Sequence, residues 1–176
     1  MVPCYVCPAP SGAGQTGAML LDGINHVAVL TADTQRFIDF YQAMFDATVD
    51  GQTAAGPGTQ LTFVSIGPYS ELNLFEIDGN DEAARQVPMF GRGRLDHMGL
   101  QASSLEAFDT IRDRLMAAGA TDGFVTDFGR SLSLFFRDPD GLEGEVCVDN
   151  PDAVPGVTNP PGTPSRRYHP DAERQP

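Results

Sequence analysis

Apolar positions recur along the middle of the chain in two alternating rhythms. Ile24 to Leu30 reads Ile-Asn-His-Val-Ala-Val-Leu, a short apolar strand. Thr31 and Asp33 follow, both residues that favour helix N-caps. Phe37, Phe40, Tyr41, Met44 and Phe45 then fall at i, i+3, i+4, i+7 and i+8, which is one face of a helix. A Gly- and Pro-rich gap from Gly51 to Gly58 ends that unit. Gln60 to Ile66 and Glu71 to Ile77 read as strands joined by a Gly67-Pro68-Tyr69-Ser70 turn. The rhythm then starts again. Leu95 to Gln101 is a strand, and Ser103 with Glu106 has the spacing of a capping box. Leu105, Phe108, Ile111 and Leu115 mark a second helix face, which Gly119 is placed to end. Phe124 to Phe128, Ser131 to Phe136 and Glu143 to Val148 are three further strands. The last two are joined by Asp138-Pro139-Asp140-Gly141, a strong turn signal.

The two halves are a divergent internal repeat, over 22–78 and 95–149, with Gly79 to Arg94 as linker. A shift of 71 residues lays His26 on His97 and Phe37 on Phe108, and a shift of 69 lays Glu76 on Glu145. Each first strand therefore carries a His and each last strand a Glu. A carboxylate inside an apolar strand is costly to bury unless it is paired or binds a cation. Two imidazoles and two carboxylates, His26, Glu76, His97 and Glu145, make a donor set suited to one divalent ion: Ni, Co, Zn, Mn or Fe. Glu143 competes with Glu145, since residues two apart share a strand face.

Composition narrows the function. The 176 residues fit one domain, at 21–149, between a Gly/Ala/Pro/Ser-rich leader (1–20) and a Pro-rich extended tail (150–176). Met19 stands just before the pattern begins, so the first eighteen residues are expected to be a leader or a misassigned start. A net charge of -13 argues against nucleic-acid and anionic-membrane partners and leaves small-molecule chemistry. There is no apolar run long enough to span a bilayer and no secretory pattern, so a cytoplasmic protein is expected. The chain has no Lys, which removes lysine-based covalent catalysis. Cys4 and Cys7 have the spacing of half a zinc or redox site with no second pair to complete it. Cys147, in an apolar strand, reads as core. Asp138, Asp140 and Gly141 read as turn chemistry, and Arg166, Arg167 and His169 as solvated tail.

The stretches Ile24-Asn25-His26-Val27-Ala28-Val29 and Phe37-Ile38-Asp39-Phe40-Tyr41 resemble the start of a vicinal oxygen chelate module. Arg137-Asp138-Pro139-Asp140-Gly141, with Glu145 four residues after the Gly, is similar to the end of one. This superfamily includes glyoxalase I, bleomycin resistance proteins and extradiol dioxygenases. The resemblance covers about 22–150. It implies an α+β fold of two βαβββ modules forming an open half-barrel around a metal cavity, and a homodimer. Extradiol dioxygenases of this superfamily use two His and one Glu, whereas glyoxalase I-like members add a second Glu, which Phe75-Glu76-Ile77 matches. On that reading the chain is a metal-dependent lyase, isomerase or epimerase. Substrate would chelate the ion through adjacent oxygens, and Glu145 or Glu76 would move a proton on an enediolate-type intermediate. Phe63, Met98 and Phe135 are expected to line the pocket, with Arg130 and Arg137 as anion clamps. The alternatives are a mononuclear Fe(II) dioxygenase and a non-catalytic protein that binds an antibiotic or other small molecule.

Overall fold

The computed structural model describes residues 20, 21 and 23–157. Cys4, Cys7, Met19, His169 and most of the expected leader and tail lie outside the described residues. The order of elements is β1 (His26–Leu30), α1 (Thr34–Phe45), β2 (Thr48–Gly56), β3 (Thr59–Gly67), β4 (Ser70–Ile77), a 3-10 turn (Glu82–Ala84), β5 (Met98–Gln101), α2 (Leu105–Ala117), β6 (Val125–Asp127), β7 (Ser131–Arg137) and β8 (Glu143–Asp149). The strands form two four-stranded mixed sheets, ordered β1-β4-β3-β2 and β5-β8-β7-β6. The fold is therefore α+β, with two βαβββ modules and neither sheet closed into a barrel. No helix among the described residues is long and apolar enough to cross a membrane.

Alternation along the strands fixes which residues face the helices and which face outward. In the first sheet Leu72, Leu74, Thr62 and Val64 are buried under α1. The opposite face carries His26, Ala28 and Leu30, paired with Glu71, Asn73 and Phe75, and continues to Phe63 and Leu61 of β3. In the second sheet Gly144, Val146 and Val148 face α2. His97, Gly99, Glu143, Glu145 and Cys147 face the other way. Strand β2 has little sequence signal because it is an edge strand, mostly exposed beyond Val49 and Gly51, with register breaks at Val49/Gly51 and Ala54/Gly56.

Helix starts follow local chemistry. The Asp33 carboxylate accepts the Arg36 N–H at 3.0 Å and caps α1. For α2 the cap is Ser104, one residue later than the expected capping box, and its hydroxyl accepts the Ala107 N–H at 3.1 Å. The modules share a core. Met44, Phe40 and Phe45 of α1 pack into the cluster built on Phe108, Leu115, Leu134 and Phe136. The Phe45 and Phe136 rings lie 5.3 Å apart. Gly144 makes room for that packing, since a Cβ there would stand 2.5 Å from Phe136.

Asp140 does more than close a turn. Its carboxylate accepts the Thr31 hydroxyl at 2.6 Å, the Ala32 N–H at 3.3 Å and the Arg36 guanidinium at 2.5 Å, clasping module two to the entrance of α1. Asp138 beside it accepts the Leu142 N–H, and burial pushes its carboxyl up to about 6.

Candidate metal centre

The second sheet brings two of the expected ligands together. His97 immediately precedes β5 and Glu145 lies on the neighbouring β8, where it pairs with Gly99. His97 Nε2 and a Glu145 carboxylate oxygen are 3.3 Å apart. The other ring nitrogen is taken: His97 Nδ1 donates to the Asp96 carboxylate at 2.8 Å. That bond fixes the tautomer, so neutral His97 points a lone pair at another acceptor. Two facing acceptors repel unless a proton or a cation joins them. A separation of 3.3 Å is also what two ligands of one ion have when each bond is about 2.1 Å. The two groups could together supply two ligands of a divalent ion.

Asp96 is held in turn. It accepts the Phe90 N–H, and the His97 hydrogen bond draws its carboxyl below the usual range. Phe135, buried and paired with Glu145 across the strands, turns its ring edge-on to His97 at 6.4 Å between centroids. Cys147 is not core. It shares the face of Glu145, half-buried, with its sulfur 3.5 Å from the Ser133 hydroxyl, and burial raises its thiol to about 11.

His26 repeats the arrangement of His97. Its Nδ1 lies 2.9 Å from the Asn25 side-chain oxygen, so Nε2 is the ring nitrogen not engaged by that contact. The matched pairs Asn25-His26 and Asp96-His97 stand in the sequence at the same 71-residue shift. His26 is exposed on the free edge of the first sheet. Among the described residues no three His, Cys, Asp or Glu side chains come together as a metal site.

Glu76 stands elsewhere. It alternates with Leu72 and Leu74, so it belongs to the helix side of the first sheet, and its carboxylate accepts the Thr34 N–H at 2.8 Å, capping the first turn of α1. In register the counterpart of Glu145 is Asn73: Asn73 pairs with Ala28 as Glu145 pairs with Gly99. The signal was the triplet Leu72-Asn73-Leu74, whose period of two turns the Asn away from the core. We predict that Glu76→Ala retains bound metal in elemental analysis but loses about 1 kcal/mol of stability in urea denaturation. Loss of metal in this variant would restore Glu76 as a ligand.

The remaining expected residues divide. Glu143 is fully buried; it accepts the Met89 N–H at 2.7 Å and pairs with Arg92 at 3.3 Å and Arg137 at 3.2 Å. This leaves Glu145, of the two, beside His97 and makes Arg137 an internal partner rather than an anion clamp. Arg130 is exposed in the β6–β7 turn, at the far end of β7 from Phe135. Met98 faces the helix side and packs onto the core of module one. It also borders a cavity of about 300 Å³ between β1 and β5, lined by Val27, Leu30, Leu95, His97 and Leu142. Phe63 lies on the open face of the first sheet, beside Asn73.

Comparison with known proteins agrees with this architecture. MhqA of Bacillus subtilis (strain 168), named as a ring-cleaving dioxygenase, is 25% identical over 148 residues. The match covers 74% of this chain and 42% of MhqA, so the chain spans less than half of that relative. A glyoxylase/bleomycin resistance protein/dioxygenase domain from Frankia sp. EAN1pec has a similar structure, with a TM-score of 0.62 at 23% identity over 74% of this chain and 94% of that one. The fosfomycin resistance protein FosX from Listeria monocytogenes, complexed with Mn(II) and a sulfate ion, gives 0.54 at 17% identity, covering 76% and 98%. These structural likenesses speak to the fold alone. The family model for the Glyoxalase/Bleomycin resistance protein/Dioxygenase superfamily matches residues 23–146. With two βαβββ modules and a His–Glu pair on the open face of one of them, the chain belongs to that superfamily.

Proposed function

We propose that this protein is a mononuclear Fe(II) dioxygenase that takes a small substrate with two adjacent oxygens, using His26, His97 and Glu145 as metal ligands. The observation that carries the reading is Asn73, which stands where a second ligand carboxylate would be required. Two His and one carboxylate are the facial donor set of non-heme iron oxygenases, with positions left open for substrate and O2. The lyase, isomerase or epimerase reading relies on Glu76 as fourth ligand and possible base, and the Glu76 carboxylate accepts the Thr34 N–H. A relative named as a ring-cleaving dioxygenase supports the same direction.

The residues divide the work. Bound at this site, the ion would supply Lewis-acid activation of the substrate oxygens and, as Fe(II), electrons for O2. Asp96 holds His97 with Nε2 outward, so the ligand needs no reorientation when metal enters. Phe135 stands edge-on to the His97 ring. His26 belongs to the other sheet, and we take the ligand set to be completed in a homodimer, His26 of one copy joining His97 and Glu145 of the next.

The test is anaerobic loading of metal-stripped protein with Fe(II), Mn(II), Co(II), Ni(II) or Zn(II), followed by an oxygen electrode and a panel of catechols. Oxygen uptake that needs both Fe(II) and a catechol is the expected outcome. Turnover of a 2-hydroxy ketone or hemithioacetal with no oxygen uptake would return the protein to the lyase class. Ligand-induced stabilisation without any turnover would make it a binding protein.

A further inference from the structure

Four carboxylates and one guanidinium stand in the wall of the cavity between β1 and β5. Three of the carboxylates are answered: Glu82 by Arg85, Asp96 by His97 and Asp140 by Arg36. The guanidinium, Arg92, is taken by Glu143. Asp138 pairs with no cation among the described residues. It is 8% exposed, and its carboxylate accepts the Leu142 N–H at 2.8 Å. A backbone N–H holds the carboxylate in place but brings no net charge to balance it. Burial pushes its carboxyl up, and the charge of Asp140 adds to the effect. The rest of the wall is largely apolar, with Val27, Leu30, Leu95, Met98 and Leu142. Leu95 is 76% exposed, so the cavity meets solvent on that side. His97 borders it, but His26 and Glu145 do not, so an occupant has no need of the proposed metal ion.

We propose that this cavity binds a small organic cation, an amine or amidine carried on an apolar body, with its charge at Asp138. The proposal goes beyond the iron reading and does not depend on it. A buried carboxylate without a counter-charge costs free energy, and a cation brought in by a ligand removes that cost through charge-assisted hydrogen bonds. Val27, Leu30, Leu95 and Met98 give the apolar body a surface to cover. At about 300 Å³ the cavity has room for about ten non-hydrogen atoms. An anion would face four carboxylates and a guanidinium already committed to Glu143. A metal ion is a poor occupant too, since among the described residues no third His, Cys, Asp or Glu joins Asp138 and Asp140 as a ligand.

The experiment titrates metal-free, nitrogen-15-labelled protein with 2-phenylethylamine, 2-phenylethanol and 3-phenylpropionate at about pH 8, where Asp138 is ionised. Amide NMR shifts report both affinity and place. For the amine we expect saturable shifts at Ala83, Met98 and Leu142, with the alcohol bound about tenfold more weakly and the carboxylate not at all. Asp138→Asn keeps an acceptor for the Leu142 N–H and should raise the Kd of the amine about tenfold at an unchanged melting temperature. Leu95→Ala, at an exposed position, should leave the fold intact and raise that Kd about threefold. Equal affinity for amine and alcohol would make the cavity merely apolar and overturn the charge assignment. Unchanged affinity in folded Asp138→Asn, or amine shifts spread over the acidic surface, would overturn the site. So would the absence of any saturable shift with the amine. If Asp138→Asn does not fold, the shift map and Leu95→Ala decide: weaker binding there supports the site and unchanged binding overturns it. None of these failures touches the dioxygenase reading, because no metal is present.

Discussion

His97→Ala purifies with no bound metal, while the wild-type protein, reconstituted and desalted, retains about one divalent ion per site. This is the largest effect expected of any single substitution here. In the proposed site His97 would supply one ligand, and without it Glu145 loses the neighbour 3.3 Å away with which it would share an ion. Elemental mass spectrometry on the two proteins reads the difference directly. Glu145→Ala should behave in the same way, and so should His26→Ala. The dimer reading adds a stricter form of the test. His26→Ala and Glu145→Ala chains, unfolded and refolded together, would pair at random, and about a quarter of the sites would carry all three ligands. Metal recovered in the mixture, when neither variant holds any alone, requires a site shared between copies. No recovery would require His26 and Glu145 of the same chain to serve one ion. Full metal retention in His97→Ala would dismiss the site altogether.

Glu143→Ala lowers stability by about 3–5 kcal/mol, the usual cost of breaking a buried ion pair by removing one partner. Glu143 is 2% exposed and answers two guanidiniums, from Arg92 and Arg137, together with the Met89 N–H. Removing it strands a nearly buried Arg92, whose side chain also donates to the carbonyls of Val87, Asp96 and Glu143. For a protein of this size the loss corresponds to a fall in melting temperature on the order of 10 °C. Metal binding should weaken as well, because the segment that Glu143 anchors leads to Asp96, which orients His97. Thermal denaturation followed by circular dichroism gives the first effect and competition with a chelator the second. A change below about 1 kcal/mol would mean that the carboxylate and the guanidiniums are each well solvated without the other.

The two glutamates of Glu143-Gly144-Glu145 show how much of a site a strand pattern can hide. Both carboxylates face the same side of β8, so alternation treats them alike. Their fates differ because of what lies opposite. The linker between modules carries Arg92 and Met89 over Glu143 and leaves Glu145 beside His97. Glu76 and Asn73 illustrate the opposite case. There the alternation Leu72-Asn73-Leu74 already contained the answer. Residue identity sets Glu76 against Glu145 in the internal repeat, whereas strand register sets Asn73 against Glu145.

Local chemistry in the sequence was enough for the two modules, their helices and most of their strands. Apolar positions at helical and strand periods must be buried together, and Asp33, Gly119 and the Asp138–Gly141 turn stop or start elements wherever they stand. The equivalent positions of His26 and His97 in the two modules were equally legible, since a repeat marks equivalent positions whatever the packing. Tertiary structure alone decided which acidic groups are free to bind a cation. Glu76 is engaged by the N-terminus of α1, 42 residues away in sequence, Glu143 by the linker, and Asp140 by the entrance of α1. Those partners are distant in sequence and close only after folding, and each draws its carboxylate toward a donor that no local pattern announces.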